Sequence, residues 1–148
     1  MQVYFAGALF GLAEKRFNRQ LTDALSGRLD GVDFILPQER AQQFLGREDW
    51  SQCMFADCLA MIDASDAVLA VLDGPDADSG TSLELGYAHA RGVPVVGVRT
   101  DFRGGEDRGL NLMLANVCRT LLLEPVDALD TLADRLVPVL AELRTRSG

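Results

Sequence analysis

The segment Asp78-Ser79-Gly80-Thr81-Ser82-Leu83-Glu84-Leu85-Gly86-Tyr87-Ala88 concentrates residue types that do chemistry. Turn-forming and hydroxyl-bearing residues come first and apolar residues follow at helical spacing. It therefore reads as a loop that delivers Glu84 into about the first turn of a helix. A helix N-terminus favours an ionised carboxylate, by about 0.3–1 kcal/mol when exposed. In a cleft such a carboxylate can attack an electrophilic sugar carbon. The structural alternative is equally concrete. Thr81-Ser82-Leu83-Glu84 has capping-box spacing, in which the glutamate only bonds back to the N-cap amide, and spacing alone favours that reading. Asp78 divides the same way, between capping the helix that begins at Gly80 and facing a ligand, with capping the simpler role.

Other candidates are fewer. Asp57 lies among apolar helix positions, where it points into a pocket or sits on a solvated edge; taken alone, the edge is the simpler reading. Asp63 falls near the end of the same helix, and Asp66 precedes an apolar run as a turn or cap residue. Tyr4 stands in a β-prone run, where an aromatic side chain packs in the core with its hydroxyl bonded. His89 is the sole histidine and sits inside a helix, which excludes a multi-histidine metal site and argues against a Ser-His-Asp triad. Gly7, Gly11, Gly80 and Gly86 make no dinucleotide fingerprint, and no phosphate-loop motif occurs. Cys53, Cys58 and Cys118 have no metal-like spacing and suit a reducing compartment, so a cytoplasmic protein is expected.

These residues need elements to hold them, and the 148-residue chain is the size of one domain, 48% hydrophobic. Disorder and a disulfide framework are excluded by that composition. No apolar run reaches the roughly 20 residues of a membrane span, and no basic region precedes the apolar N-terminal stretch as it would in a signal peptide. Fourteen basic residues stand against 22 acidic ones, a formal net charge of −8, and the arginines are scattered. Polymeric nucleic acid is therefore an unfavourable partner, whereas small nucleosides stay open. Strands are expected over 2–6, 32–36, 67–72, 93–98 and 119–123. Helices are expected over 12–29, 48–64, 81–91 and from Val126 to Leu143, where Pro138 would introduce a kink. The stretch after Pro37 reads as a polar loop, and 103–107 as a mobile one. The alternation predicts an α/β domain, with a doubly wound, flavodoxin-like, five-stranded parallel sheet covered by helices on both faces. Its site should lie at the carboxyl ends of the strands, where Gly7, Phe10 and Asp73 to Gly80 fall.

Three blocks together resemble the nucleoside 2-deoxyribosyltransferase family. They are Val3-Tyr4-Phe5-Ala6-Gly7-Ala8-Leu9-Phe10, the Asp78 to Ala88 segment, and Gly109-Leu110-Asn111-Leu112-Met113-Leu114. The resemblance implies that Glu84 attacks C1′ of a 2′-deoxynucleoside, expels the base and passes the sugar to a second base with net retention. Tyr4 would orient Glu84. Asp78 and Asp57 would bind the base, and a protonated aspartic acid there would assist its departure. Gly7, Phe10, Ser79 and Gly80 would line the substrate site. Met113 would line that site as well, and Asn111 would come from a neighbouring subunit, so the resemblance implies a dimer-based homo-oligomer with shared sites. The partners it implies are a small 2′-deoxynucleoside and a free nucleobase, with no metal or organic cofactor.

The match departs at Pro37-Gln38-Glu39-Arg40, which does not follow the family's base-pocket loop, and at 101–108, which suggests part of a lid. The chain also resembles the 2′-deoxynucleoside 5′-monophosphate N-glycosidases in fold and in its glutamate. Those enzymes use serines around a phosphate, whereas Ala8-Leu9-Phe10 and Asn111 stand here, favouring unphosphorylated nucleosides. A non-catalytic nucleotide-binding module on the same fold is the alternative from another class.

Overall fold

The structure, a computed structural model, describes residues 1–101, 110–123 and 125–146. Five parallel strands form one sheet: β1 (Gln2–Ala6), β2 (Asp33–Ile35), β3 (Ala67–Val71), β4 (Val95–Arg99) and β5 (Thr120–Leu123). Their order is β2-β1-β3-β4-β5, the flavodoxin-like arrangement, with its switch point between β1 and β3. The helices are α1 (Leu12–Ser26), α2 (Pro37–Arg40), α3 (Trp50–Asp63), α4 (Ser79–Arg91), α5 (Leu112–Val117) and α6 (Leu129–Arg146).

The period-two alternation of strand side chains divides the core. Val3, Phe5, Leu69, Val96 and Val98 point to one face and pack with Leu21 and Leu25 of α1 and Leu136 and Leu140 of α6. Tyr4, Ala6, Val68, Ala70 and Val95 point to the other and pack with Ile62 of α3 and Leu85 and Ala88 of α4. Gly92 ends α4 at φ 75°, a left-handed conformation that glycine adopts without Cβ strain.

Several boundaries differ from the sequence expectation. The stretch after Pro37 is not all loop, because proline serves at the first helical position of α2, and a 3₁₀ turn follows at Ala41–Phe44. The strand expected at Val93 starts at Val95, and α6 runs on through Pro138 to Arg146. The short α5 was not expected; it is capped by Asn111, whose Oδ1 accepts from the Met113 amide at 2.8 Å. The stretch 103–107 and most of 101–108 lie outside the described residues. Among the described residues, no helix is long and apolar enough to cross a membrane.

Two clusters fix the loops at the carboxyl ends of the strands. Arg99, buried at the end of β4, donates to the carbonyls of Leu72 at 3.0 Å and Gly74 at 2.8 Å and pairs with Asp101 at 2.9 Å. Asp73 accepts from the Thr100 amide and hydroxyl, each at 2.5 Å. The loop leading into α4 is thereby tied to β4. After β1, Glu14 accepts from the Phe10 amide at 2.9 Å, while Asn18 donates to the Ala8 carbonyl at 3.0 Å.

Candidate active site

Tyr4 lies mid-strand in β1, paired with Ile35 on one side and Val68 on the other, and is fully buried. Its hydroxyl donates to Glu84 Oε1 at 2.7 Å, joining β1 to α4 across 80 residues of sequence. A core tyrosine needs a partner for its hydroxyl, and here the partner is an acid.

The capping-box reading of Glu84 does not hold. The helix starts at Ser79 rather than near Thr81, so Asp78 is the N-cap and Glu84 falls in the second turn. Asp78 Oδ2 accepts from the Thr81 amide at 2.9 Å and the Thr81 hydroxyl at 3.2 Å. Glu84 is thus released from any local duty. Gly80 lets the cap close, since a Cβ there would meet Asp78 Oδ2 at 3.1 Å.

Burial pushes the Glu84 carboxyl up to about 7, with the negative charge of Asp78 adding to the rise and the Tyr4 hydrogen bond opposing it. The group therefore titrates near neutrality, the environment expected of a functional carboxylate. Burial, and then the charge of Glu84, raise the Tyr4 phenol so far that it stays a donor. The Cys58 thiol lies beside the Tyr4 hydroxyl, and burial raises it above the ordinary thiol range.

Asp57 is not the solvated edge that its helix position suggests. Arg40 grips it with two bonds, Nε to Oδ2 at 2.7 Å and Nη2 to Oδ1 at 2.6 Å, and the Asp57 side chain is 15% exposed. The guanidinium holds this carboxyl below the usual carboxylate range despite partial burial. An acid so held carries no proton to give at neutral pH, which removes Asp57 from the proton-donor role the resemblance allowed. Asp63 instead accepts from Arg91 at 2.7 Å and from the Tyr87 hydroxyl at 2.9 Å, clamping α3 to α4. Asp66 accepts from the Gln2 amide at 2.7 Å, as a turn residue would.

The remaining expected site residues lie around this centre at different depths. Gly7 is buried at the end of β1, Phe10 is 75% exposed in the loop beyond it, and Ser79 and Gly80 form the first turn of α4. Asn111 and Met113 line a cleft of about 400 Å³ with Ser82 and Gly86 of α4. Ser82 and Gly86 share one helix face, and Glu84 projects from the opposite one, so this chain does not bring Asn111 to its own Glu84. Leu83, Leu112 and Met113 are exposed beside that cleft. A second cleft, about 320 Å³, opens at the switch point and is lined by Ala8, Glu14, Val71, Asp73 and Gly74 among others.

Three contributors were not legible as site residues. Glu14 was signalled by its spacing from Gly11, that of a helix start whose third residue reaches back. Cys58 reads as a core cysteine until Tyr4 is placed beside it. Arg40 lies in a segment without periodicity, 17 residues from Asp57, and left no local signal. Among the described residues, no group of three or more His, Cys, Asp or Glu side chains is arranged to hold a metal ion.

Solved structures share this architecture along nearly the whole chain. A conserved protein from Enterococcus faecalis V583 is 28% identical with a TM-score of 0.74, over 99% of this chain and 98% of that one. A 2-deoxyribosyltransferase from Bacillus psychrosaccharolyticus is 20% identical, TM-score 0.68, over 90% and 91% respectively. A 2-desoxiribosyltransferase from Leishmania mexicana is 22% identical, TM-score 0.66, over 93% and 97%. No curated protein sequence matches the chain. The model of one glycosyl-transferring family, described as nucleoside 2-deoxyribosyltransferase, matches residues 3–114, well over half the chain and the stretch that holds both Tyr4 and Glu84: the chain belongs to that family.

Proposed function

We propose that the protein exchanges bases between 2′-deoxyribonucleosides by double displacement on Glu84. The observation that carries this reading is the buried Tyr4–Glu84 hydrogen bond, which fixes a carboxylate titrating near neutrality at the functional end of the sheet. Tyr4 holds Oε1 and leaves Oε2 to attack. In the first step a Glu84 oxygen bonds to C1′ while the C1′–N bond breaks, its electron pair moving onto the departing base, which takes up a proton. In the second, a nitrogen lone pair of the acceptor base attacks C1′ from the vacated face. The ester bond breaks, its pair returns to Glu84, and the acceptor releases a proton. Two inversions give net retention.

Gly7, Phe10, Ser79, Gly80, Asp57 and Asp78 would border the sugar and base. Asn111 and Met113 would serve a neighbouring subunit's site, in a dimer-based homo-oligomer. Support for the last point comes from their position on the face of α4 opposite Glu84, beside exposed Leu83 and Leu112.

The test is a chromatographic assay with 2′-deoxyinosine, with and without adenine. Base exchange predicts 2′-deoxyadenosine only when adenine is present. Hypoxanthine release at the same rate without adenine, and no 2′-deoxyadenosine with it, would make the protein an N-glycosidase instead.

A further inference from the structure

The cavity of about 320 Å³ at the switch point takes no part in the proposed chemistry. Val71 and Phe17, which line it, pack on the α1/α6 core, whereas Tyr4 and its partner Glu84 lie across the sheet. Ala13 adds to the apolar lining, and Glu14, Asn18 and Asp73 supply carboxylates and an amide.

What these polar groups offer is one-sided. Asn18 is only 4% exposed, and its amide nitrogen is spent on the Ala8 carbonyl at 3.0 Å and Gln38 Oε1 at 3.2 Å. The Gln38 nitrogen in turn donates to the Lys15 carbonyl at 3.0 Å, so the two amides fix each other's orientation. That leaves Oδ1 as the atom Asn18 presents to the cavity, and among the described residues no group donates to it. Glu14 plugs the start of α1. Its Oε2 accepts from the Phe10 amide at 2.9 Å and the Gly11 amide at 2.5 Å, donors that would otherwise hold an anion. Its Oε1 stays unspent. Asp73 accepts only from Thr100 and the Asp101 amide. Among the described residues, neither carboxylate has a cation as its partner.

We propose that this cavity is a second binding site, which takes a small planar organic cation of the amidinium or guanidinium class. Such a cation meets a carboxylate with two parallel N–H bonds, and Glu14 and Asp73 both face the cavity. A further N–H satisfies the buried Oδ1 of Asn18, and the Phe17 ring offers a face to the delocalised charge. An anion would meet acceptors only. A metal ion fits less well, because among the described residues no group of three or more His, Cys, Asp or Glu side chains is arranged around one. The proposal does not depend on the base-exchange reading.

The test measures binding and needs no turnover. Benzamidine, its neutral isostere benzamide and the anion benzoate are titrated calorimetrically into wild type, Glu14→Gln, Ala13→Phe and Glu84→Gln. Glu14→Gln keeps an oxygen for the Phe10 and Gly11 amides and removes the charge. Ala13→Phe keeps the charge and adds a ring to the cavity lining; Ala13 is exposed on α1, so this variant keeps the test usable should Glu14→Gln fold poorly. Wild type should bind a single benzamidine about tenfold or more tightly than benzamide, the range of a charge-assisted hydrogen bond, and should not bind benzoate. Glu14→Gln and Ala13→Phe should each weaken benzamidine by about tenfold. Glu84→Gln, altered across the sheet, should stay within about twofold of wild type. Equal affinity for benzamidine and benzamide, unchanged benzamidine affinity in both cavity variants, or no saturable binding would overturn the proposal. A loss in Glu84→Gln as large as in Glu14→Gln would overturn it too, by placing the cation at the catalytic centre. None of these outcomes bears on base exchange, which the chromatographic assay decides.

Discussion

On the α1/α6 side of the sheet, the strand side chains that pack are all hydrocarbon: Val3, Phe5, Leu69, Val96 and Val98 close against Leu21, Leu25, Leu136 and Leu140. On the α3/α4 side, the same strand β1 sends Tyr4 to the same depth, and its hydroxyl takes Glu84 in with it. One residue of strand register separates a face that only stabilises from a face that carries an acid. On the first face the buried polar side chains, Asn18 and Thr22 of α1, are neutral and bond to backbone carbonyls. The second accepts a buried carboxylate whose ionisation is opposed by its surroundings, a cost to the fold that the proposed nucleophile role would explain.

The largest expected effect separates the two faces outright. Glu84→Gln should lower base exchange by roughly 1,000-fold or more, as loss of a nucleophile does, with the fold intact by circular dichroism. The same variant should gain stability, in a pH window set by the raised carboxyl. Below the ordinary value of 4.5 the group is neutral in both folded and unfolded chains. Between 4.5 and about 7 the folded chain binds the extra proton, so wild-type stability falls as pH rises through this range. Glu84→Gln should therefore melt higher than wild type at pH 8, by about 1–3 kcal/mol, and no higher at pH 4. An equal melting difference at both pH values would contradict this.

The aliphatic face should behave in the opposite way. Leu136→Ala removes a fully buried side chain and should cost about 2–5 kcal/mol in denaturant unfolding. Its kcat, measured well below the melting transition, should stay near wild type. A large loss of kcat at full folding would show that the two faces are coupled.

Smaller effects sharpen the electrostatics. The wild-type pH profile of kcat/KM should rise with a midpoint near 7. Tyr4→Phe removes the bond that favours the ionised form, so its midpoint should move up, with about a tenfold loss at pH 6.5. Asp78→Asn keeps a good N-cap and removes the neighbouring charge, so its midpoint should move down by a smaller step. Movement of both midpoints in one direction would mean that another group sets the profile.

Sheet and helices were legible because their signals are local. Ala67 to Leu72 is a continuous apolar run, as a strand buried on both sides requires, and Gly92 marks the end of α4. The segment between Pro37 and Glu48 was read as loop because α2 and the 3₁₀ turn are each only four residues, too short for a period to show. The site was legible only in part. Spacing alone folded Glu84 back onto its own helix, and resemblance lifted it out. The physical reason is its pairing with Tyr4, a contact between elements that local sequence does not encode. Arg40 was missed on the same ground, since its value lies in Asp57 across the α2–α3 gap.

Glu84 as the nucleophile is tested most directly by acid-quenching the protein during turnover of 2′-deoxyadenosine and sequencing its peptides by mass spectrometry. The prediction is a single deoxyribosyl group attached through the carboxylate of Glu84, absent from Glu84→Gln. A deoxyribosyl group on any other residue, or full base exchange by Glu84→Gln, would contradict it.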